Sequence, residues 1–268
     1  MPPSKGESLS FERLQEVFQA KTKEHIFVFI VAGDIGGVGK TTMSKVIVDM
    51  LRRCPRKVIV IDADDRNRNV LQVYKGVCPT YEAAFSSLEW RQNQFDPILS
   101  EPLTHSANGV VNTKAGIGEA IAEHLIEHRQ IEVSQEEGLT TIMVIVSDGM
   151  PGSLDVAQKL FQEVGDEIPL IFVRNERDFD FTQWKQILKS NEFQKSLRKY
   201  NIPVISLPRL DIRTETLVKD LQVPYLDAAY KWRELELPHF NPSVAMRVRR
   251  FINAGMYEAM RGILHHVT

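Results

Sequence analysis

Cysteine is scarce in this chain: Cys54 and Cys78 are the only two among 268 residues. They sit far apart and match no metal-ligand spacing. A disulfide framework is therefore not expected, and a reducing cytosol is the expected compartment. Long apolar runs are missing as well. The most apolar stretch, Ile26 to Ala32, is too short to span a bilayer. Met1-Pro2-Pro3-Ser4-Lys5-Gly6-Glu7 has no apolar core of a secretion signal, so a cytoplasmic location is expected. Excess charge is missing too. With a formal net charge of −2, contact with DNA or an anionic membrane has to come from a local patch. No internal repeat and no low-complexity tract is present.

What remains is ordinary globular material, 43% hydrophobic and 25% charged, enough to build a core. The length fits a single domain over residues 1–268, with a tail and helix over 1–24 and a helix over 241–268 attached. Ile26 to Val31, Lys57 to Ile61, Thr141 to Val146, Ile168 to Val173 and Ile202 to Leu207 are apolar, β-branched runs that suit strands buried on both faces. Helices are expected from Ser10 to Lys23, with Phe11, Leu14, Val17 and Phe18 on one face, and from Lys40 to Arg53. Further helices are expected over Gly118 to Gln130, Ser153 to Val164, and from Asn241-Pro242 to about Leu264. This alternation predicts an α/β fold, a mostly parallel sheet with helices on both faces. Residues 1–9 read as a loose tail, and residues 81–112 give no firm pattern.

The most informative segment is Gly36-Gly37-Val38-Gly39-Lys40-Thr41-Thr42, between the first strand and the next helix. Glycines let backbone N–H groups converge on an anion, and a helix N-terminus adds positive partial charge. A lysine then reaches the outer phosphates, and the next hydroxyl ligates Mg²⁺. The simpler alternative is a glycine turn that happens to precede Lys-Thr. The strand before and the helix after argue against it. The strict phosphate-loop pattern has a glycine where Asp34 stands, and Gly33 lies one residue earlier.

Three carboxylates, Asp62, Asp64 and Asp148, fall at predicted strand ends, where parallel sheets bind ligands. There a carboxylate can hold Mg²⁺ or orient a water for attack on a phosphate. One strand-end aspartate alone would more simply cap a turn. Three beside a phosphate loop favour the functional reading. Asp65 is ambiguous: it can be solvated or can pair with Arg66 or Arg68.

Together these motifs resemble the ParA/MinD family of deviant Walker ATPases, P-loop proteins of the α/β class. The loop over Gly36–Thr42 matches. Asp62-Ala63-Asp64 with Arg68-Asn69 is similar to the family's second motif. Asp148-Gly149-Met150-Pro151-Gly152 is similar to its Asp-x-Pro-Pro-Gly motif, with Met150 in place of the first proline. Arg174-Asn175 and Leu207-Pro208 stand where the family contacts the base. The resemblance spans about residues 26–210 and implies ATP and Mg²⁺ as cofactors. It implies that the loop residues Gly36, Gly37, Val38 and Gly39 cradle the phosphates. Lys40 would bind the β- and γ-phosphates, Thr41 the Mg²⁺ and Thr42 the α-phosphate. Asp62 and Asp148 would support the metal, Asp64 would position the attacking water, and Asn175 and Pro208 would hold adenine. Val173 to Glu176, with Phe179, Phe181 and Trp184, looks most like the ParA-like proteins of plasmid maintenance and conjugation operons. That implies a homodimer on ATP binding and a protein partner from the same operon.

One departure carries weight. The family's second lysine, five residues before the loop lysine, is Ile35 here. An isoleucine cannot supply a charge to a partner's phosphates. Losing one such contact costs on the order of 10²–10³ in rate, so slow or partner-stimulated hydrolysis is expected. Arg247, Arg249 and Arg250 on the last helix, with Val248, Ile252, Ala259 and Ile263 as a buried stripe, are either a solvated helix face or a contact for non-specific DNA. The stretch from Met256 to His266 is a poor match to a membrane anchor. Two other readings stay open: an ATP-dependent ligase resembling dethiobiotin synthetase, which shares the glycine at Gly33, and a scaffold that binds nucleotide without hydrolysing it.

Overall fold

The structure is a computed structural model that describes residues 9–33, 35–83 and 91–267, with the backbone alone over 91–96. Asp34 and the tail over 1–8 lie outside the described residues. So does part of the segment without a sequence pattern, residues 84–90. The first half of the chain forms α1 (Phe11–Thr22), β1 (Ile26–Ala32), α2 (Lys40–Arg53), β2 (Val58–Ala63), α3 (Asn69–Tyr74), β3 (Thr80–Glu82), α4 (Arg91–His105), β4 (Asn108–Thr113), α5 (Gly118–Glu127) and α6 (Gln130–Glu136). The second half forms β5 (Leu139–Ser147), α7 (Pro151–Val164), β6 (Leu170–Asn175), α8 (Phe181–Ile187), α9 (Asn191–Lys199), β7 (Val204–Leu207), α10 (Ile212–Asp220), α11 (Tyr225–Tyr230) and α12 (Pro242–Leu264).

The strands make one sheet in the order β3-β2-β4-β1-β5-β6-β7, and every neighbouring pair is parallel. The central strands β2, β4, β1, β5 and β6 are buried on both faces because successive side chains feed two cores, while the edge strands β3 and β7 are only partly covered. From β1, Phe27, Phe29 and Val31 join α2 and α12 on one face. Val28, Ile30 and Ala32 join α5 and α7 on the other. Chain order reverses around β1: β2 lies to one side and β5 to the other. The C-terminal end of β1 is thus the switch point at which open parallel sheets leave a crevice.

Most expected elements are present with shifted ends. β2 continues to Ala63, which draws Asp62 into the sheet, where it is buried. The helix expected over Gly118–Gln130 is two helices, because Arg129 adopts a left-handed backbone at φ +53° and breaks it. Ser10 caps α1 through a bond from the Arg13 N–H. Leu14 and Phe18 are its buried residues, with Phe11 and Val17 packed partly against the core. On α12 the stripe of Val248, Ile252, Ala259 and Ile263 is buried as expected.

The sequence reading had no place for β4, which lies between β1 and β2. All six of its residues are buried. Its polar residues hold neighbouring strands: Asn108 accepts from the Phe27 N–H (3.1 Å) and donates to the Lys57 carbonyl (3.0 Å). Thr113 donates to the Val31 carbonyl at 2.8 Å.

Candidate nucleotide-binding site

The glycine loop is built where β1 meets β5. A Cβ at Gly33 would lie 2.7 Å from the Val146 carbonyl oxygen, closer than a side chain can sit. Glycine is what lets the chain leave the sheet at that point. Gly39 has φ of +110°, and a Cβ there would come within 2.6 Å of the Asn175 amide nitrogen. Gly39 also precedes α2 without a side-chain cap, so the first N–H groups of that helix face the loop's concavity and suit an anion.

Lys40 is nearly buried, and its ammonium donates to the carbonyls of Gly33 (2.6 Å) and Ile35 (3.0 Å). It ties the two arms of the loop together. The Ile35 side chain carries no charge to the site. It is 36% exposed and lies near Gly152 of α7, whose added Cβ would meet Ile35 Cδ1 at 3.3 Å.

Above the loop opens a cleft of about 460 Å³. Gly36, Gly37, Gly39, Lys40, Thr41 and Thr42 line its floor, and Asp64 stands on one wall. Asn175 and Pro208 line it as well. Val38 is buried beneath, and its carbonyl accepts the Asn175 amide at 2.8 Å. Asn175 is fixed in turn: its side-chain oxygen accepts from the Arg177 N–H (3.1 Å), and its backbone oxygen accepts from the Trp184 indole (3.1 Å). Trp184 of α8 is fully buried with its ring edge-on to Phe172. It anchors the C-terminal end of β6.

The three aspartates do not converge. Asp64 reaches the cleft, with one carboxylate oxygen held by the N–H groups of Arg66 (3.2 Å) and Asn67 (3.1 Å). Asp62 does not line the cleft. It is 1% exposed and accepts from Asn112 (2.9 Å), from the Leu71 N–H (3.0 Å) and from the Asp64 N–H (3.3 Å). Burial raises its pKa, and these three donors work against that shift. Asp148 likewise closes a turn, accepting from Ser153 Oγ (2.6 Å) and the Met150 N–H (3.1 Å). Among the described residues no three His, Cys, Asp or Glu side chains group into a metal cage. A cation here would rest on the Thr41 hydroxyl and on oxygens of the ligand itself, a donor set that suits Mg²⁺ on a nucleotide, with Asp64 the one of the three aspartates that lines the cleft.

Several site residues carried no motif signal. Asn112 of β4 joins Asp62 to α2, because its side-chain oxygen accepts from Ser44 Oγ at 3.1 Å. Arg177 donates to the Gly37 carbonyl at 3.2 Å. Lys114 lines the cleft and pairs with Asp65 at 3.0 Å, which answers the question left open for that aspartate. Further cations on the walls include Lys45, Arg66, Arg209 and Lys219, against Glu215. This surplus favours a polyanion.

The basic residues of α12 are largely occupied. Arg247 bonds Asp211 (3.1 Å) and Thr214 (3.0 Å) at the start of α10. Arg249 donates to the Ala229 carbonyl at 3.2 Å and lies over the Tyr230 ring at 4.5 Å. Arg250 is exposed. No described helix is long and apolar enough to cross a membrane.

No protein-family model matches the sequence, and no curated protein matches it. Solved structures do. The cell division ATPase MinD of Pyrococcus furiosus superposes with a TM-score of 0.50 at 14% identity, over 87% of this chain and 97% of that one. The septum site-determining protein MinD of Pyrococcus horikoshii OT3, complexed with Mg-ADP, gives 0.50 at 14% identity, over 91% and 99%. Identity at this level speaks for the fold alone. With its seven-stranded parallel sheet and the loop at the switch point, the chain has the P-loop α/β fold of the MinD-type ATPases.

Proposed function

We propose that this protein binds Mg-ATP in the cleft and acts as a nucleotide-dependent switch with slow intrinsic hydrolysis. The observation that carries this reading is the loop over Gly33–Thr42, which delivers Lys40, Thr41 and the uncapped N-terminus of α2 to one anion-seeking cleft. Mg²⁺, when bound, would supply charge that offsets that of the phosphates. Lys40 would bind the β- and γ-phosphates, the Thr41 hydroxyl would hold the metal, and Thr42 would hold the α-phosphate. Asp64, fixed through one oxygen, orients a water with the other. Asp62 and Asp148 support the metal side indirectly, by setting the ends of β2 and β5. Asn175, bonded to the Val38 carbonyl, would keep the loop closed where adenine is held, and Pro208 also lines the cleft that would hold it.

The uncharged Ile35 argues for slow turnover by the protein alone. A purified-protein rate above roughly 1 s⁻¹ would contradict this. The switch itself is read from solution mass by light scattering without nucleotide, with Mg-ADP and with Mg-ATP. Asp64→Ala slows any hydrolysis, and Lys40→Ala serves as the non-binding control. A monomer that becomes a dimer only with ATP supports the switch. An unchanged mass with ATP bound opposes the homodimer. Single-turnover hydrolysis separates the switch from a scaffold that only binds, and a phosphorylated small product would favour the ligase reading.

The process we propose is plasmid partition, stability or conjugative transfer, with a protein partner encoded in the same operon. Its support is the resemblance of residues 173–184 to ParA-like proteins of such operons. A non-specific DNA contact through Arg247, Arg249 and Arg250 draws less support, because the first two are engaged within the chain.

A further inference from the structure

The cleft reaches further than the phosphate loop requires. Lys45 sits on α2 three residues after Thr42, so it lies about one helical turn beyond the residue that faces the α-phosphate. It is 6% exposed and lines the cleft. Among the described residues no hydrogen bond or ion pair reaches its ammonium. The neighbouring carboxylates on its own side are committed: Asp49 bonds Arg52 (2.8 Å) and the Leu226 N–H (2.9 Å), and Asp62 is held as described. Lys219 of α10 is exposed on the same arm of the cleft, without a bonded partner among the described residues. Of the carboxylates around Lys45, Asp49 acts on it most strongly, then Asp62, and Glu215 is the one that lines this arm of the cleft. Tyr225 and Phe251 form an almost buried aromatic floor there.

A buried cation is normally paired, because removing it from water is costly. Burial lowers the Lys45 pKa to about 8, and the nearby Lys219 adds to the shift. Lys45, buried without a bonded partner on the wall of an open cleft, is therefore completed by an anion from outside, and the exposed Lys219 on the same arm adds a second positive charge. Beyond the α-phosphate of a bound nucleotide comes its ribose.

We infer that Lys45 and Lys219 form a second anion subsite, which takes a phosphate carried on the 2′ or 3′ oxygen of the bound nucleotide's ribose. The inference rests on the nucleotide reading of the cleft. It makes the preferred ligand a ribose-phosphorylated nucleotide, and the aromatic floor packs against the sugar.

The test is calorimetric titration of the full chain with Mg²⁺ and each of three probes: ADP, its 3′-phosphorylated form and its 2′-phosphorylated form. The expected result is that one isomer binds about tenfold or more tighter than ADP, the gain of one charge-assisted contact. That ratio should fall towards one in Lys45→Met and decrease in Lys219→Ala, with circular dichroism checking that both variants are folded. If neither isomer exceeds ADP, or the ratio survives in Lys45→Met, the subsite proposal is wrong while the nucleotide reading stands. If inorganic phosphate tightens ADP binding and neither isomer gains, the anion is not borne on the ribose, and the proposal fails in that form. If no nucleotide binds, both readings fall together.

Discussion

At the scale of single residues, the charges in the cleft do opposite things to stability and to binding. Lys40 is satisfied inside the loop, whereas Lys45 is held against its preference. Its folded pKa of about 8 lies below the ordinary lysine value of 10.5, so between these values the folded chain binds fewer protons than the unfolded one. Unfolding free energy from this group therefore rises with pH across that window. Below pH 8 the buried charge exacts its full penalty, about 1–3 kcal/mol. Lys45→Met should raise the melting temperature at pH 7 by several degrees, with the difference from wild type shrinking towards pH 10. A variant that melts lower at every pH would show that the lysine is a structural asset. Lys40, Thr41, Asp64, Asn175 and Pro208 were legible in the sequence because each belongs to a motif of fixed spacing. Lys45, Lys114 and Arg177 were not, because a cation inside a helix or loop looks like a solvated one until neighbouring elements wall it in.

At the scale of elements, β4 shows where sequence patterning fails. A central strand normally announces itself by a continuous apolar run, but this one is bracketed by Asn108 and Asn112-Thr113 and has Gly109 inside it. α4 was hidden differently, by Pro97 and Pro102 within the helix, residues that ordinarily end one. α8 was not expected from the sequence, and it starts on a reciprocal capping box of Asp180 and Gln183. The polar content of β4 has a purpose at its C-terminal end, where Asn112 links Asp62 of β2 to Ser44 of α2. Asn112→Leu should cost about 2–4 kcal/mol, since it removes a donor from a buried carboxylate and an acceptor from a buried hydroxyl. Urea unfolding measures this. A loss under about 0.5 kcal/mol, the range of an inert surface change, would mean that water or a relaxed side chain replaces the asparagine.

At the scale of the whole molecule, the strand order does what motif reading presupposed. It brings segments from residue 36 to residue 208 to one end of the sheet. It does not bring all the aspartates into the cleft. Asp62 within β2 and Asp148 in the turn after β5 shape the rim from behind, while Asp64 alone of the three lines the cavity. α12 is above all a structural helix, laid along α2, with Arg247 turned to α10 and Arg249 to α11, while Arg250 is exposed. With Arg247 and Arg249 engaged, Arg250 alone of the three offers too little charge for a DNA face, so Arg250→Glu should leave any plasmid retention in a gel-shift assay unchanged at 50–200 mM salt, the span over which phosphate contacts are strongly salt-sensitive. A loss of retention with a reduced salt slope would restore the DNA face.

The central claim is that the glycine loop binds a nucleotide through its phosphates. The most direct test is calorimetric titration of Mg-ATP into the wild-type chain and into Lys40→Ala. The account predicts one saturable site in the wild type and an affinity about 100-fold weaker in the variant, equivalent to two charge-assisted contacts of ~1.5 kcal/mol each. Absence of binding by the folded wild type at millimolar Mg-ATP, or equal affinity in the variant, would contradict it.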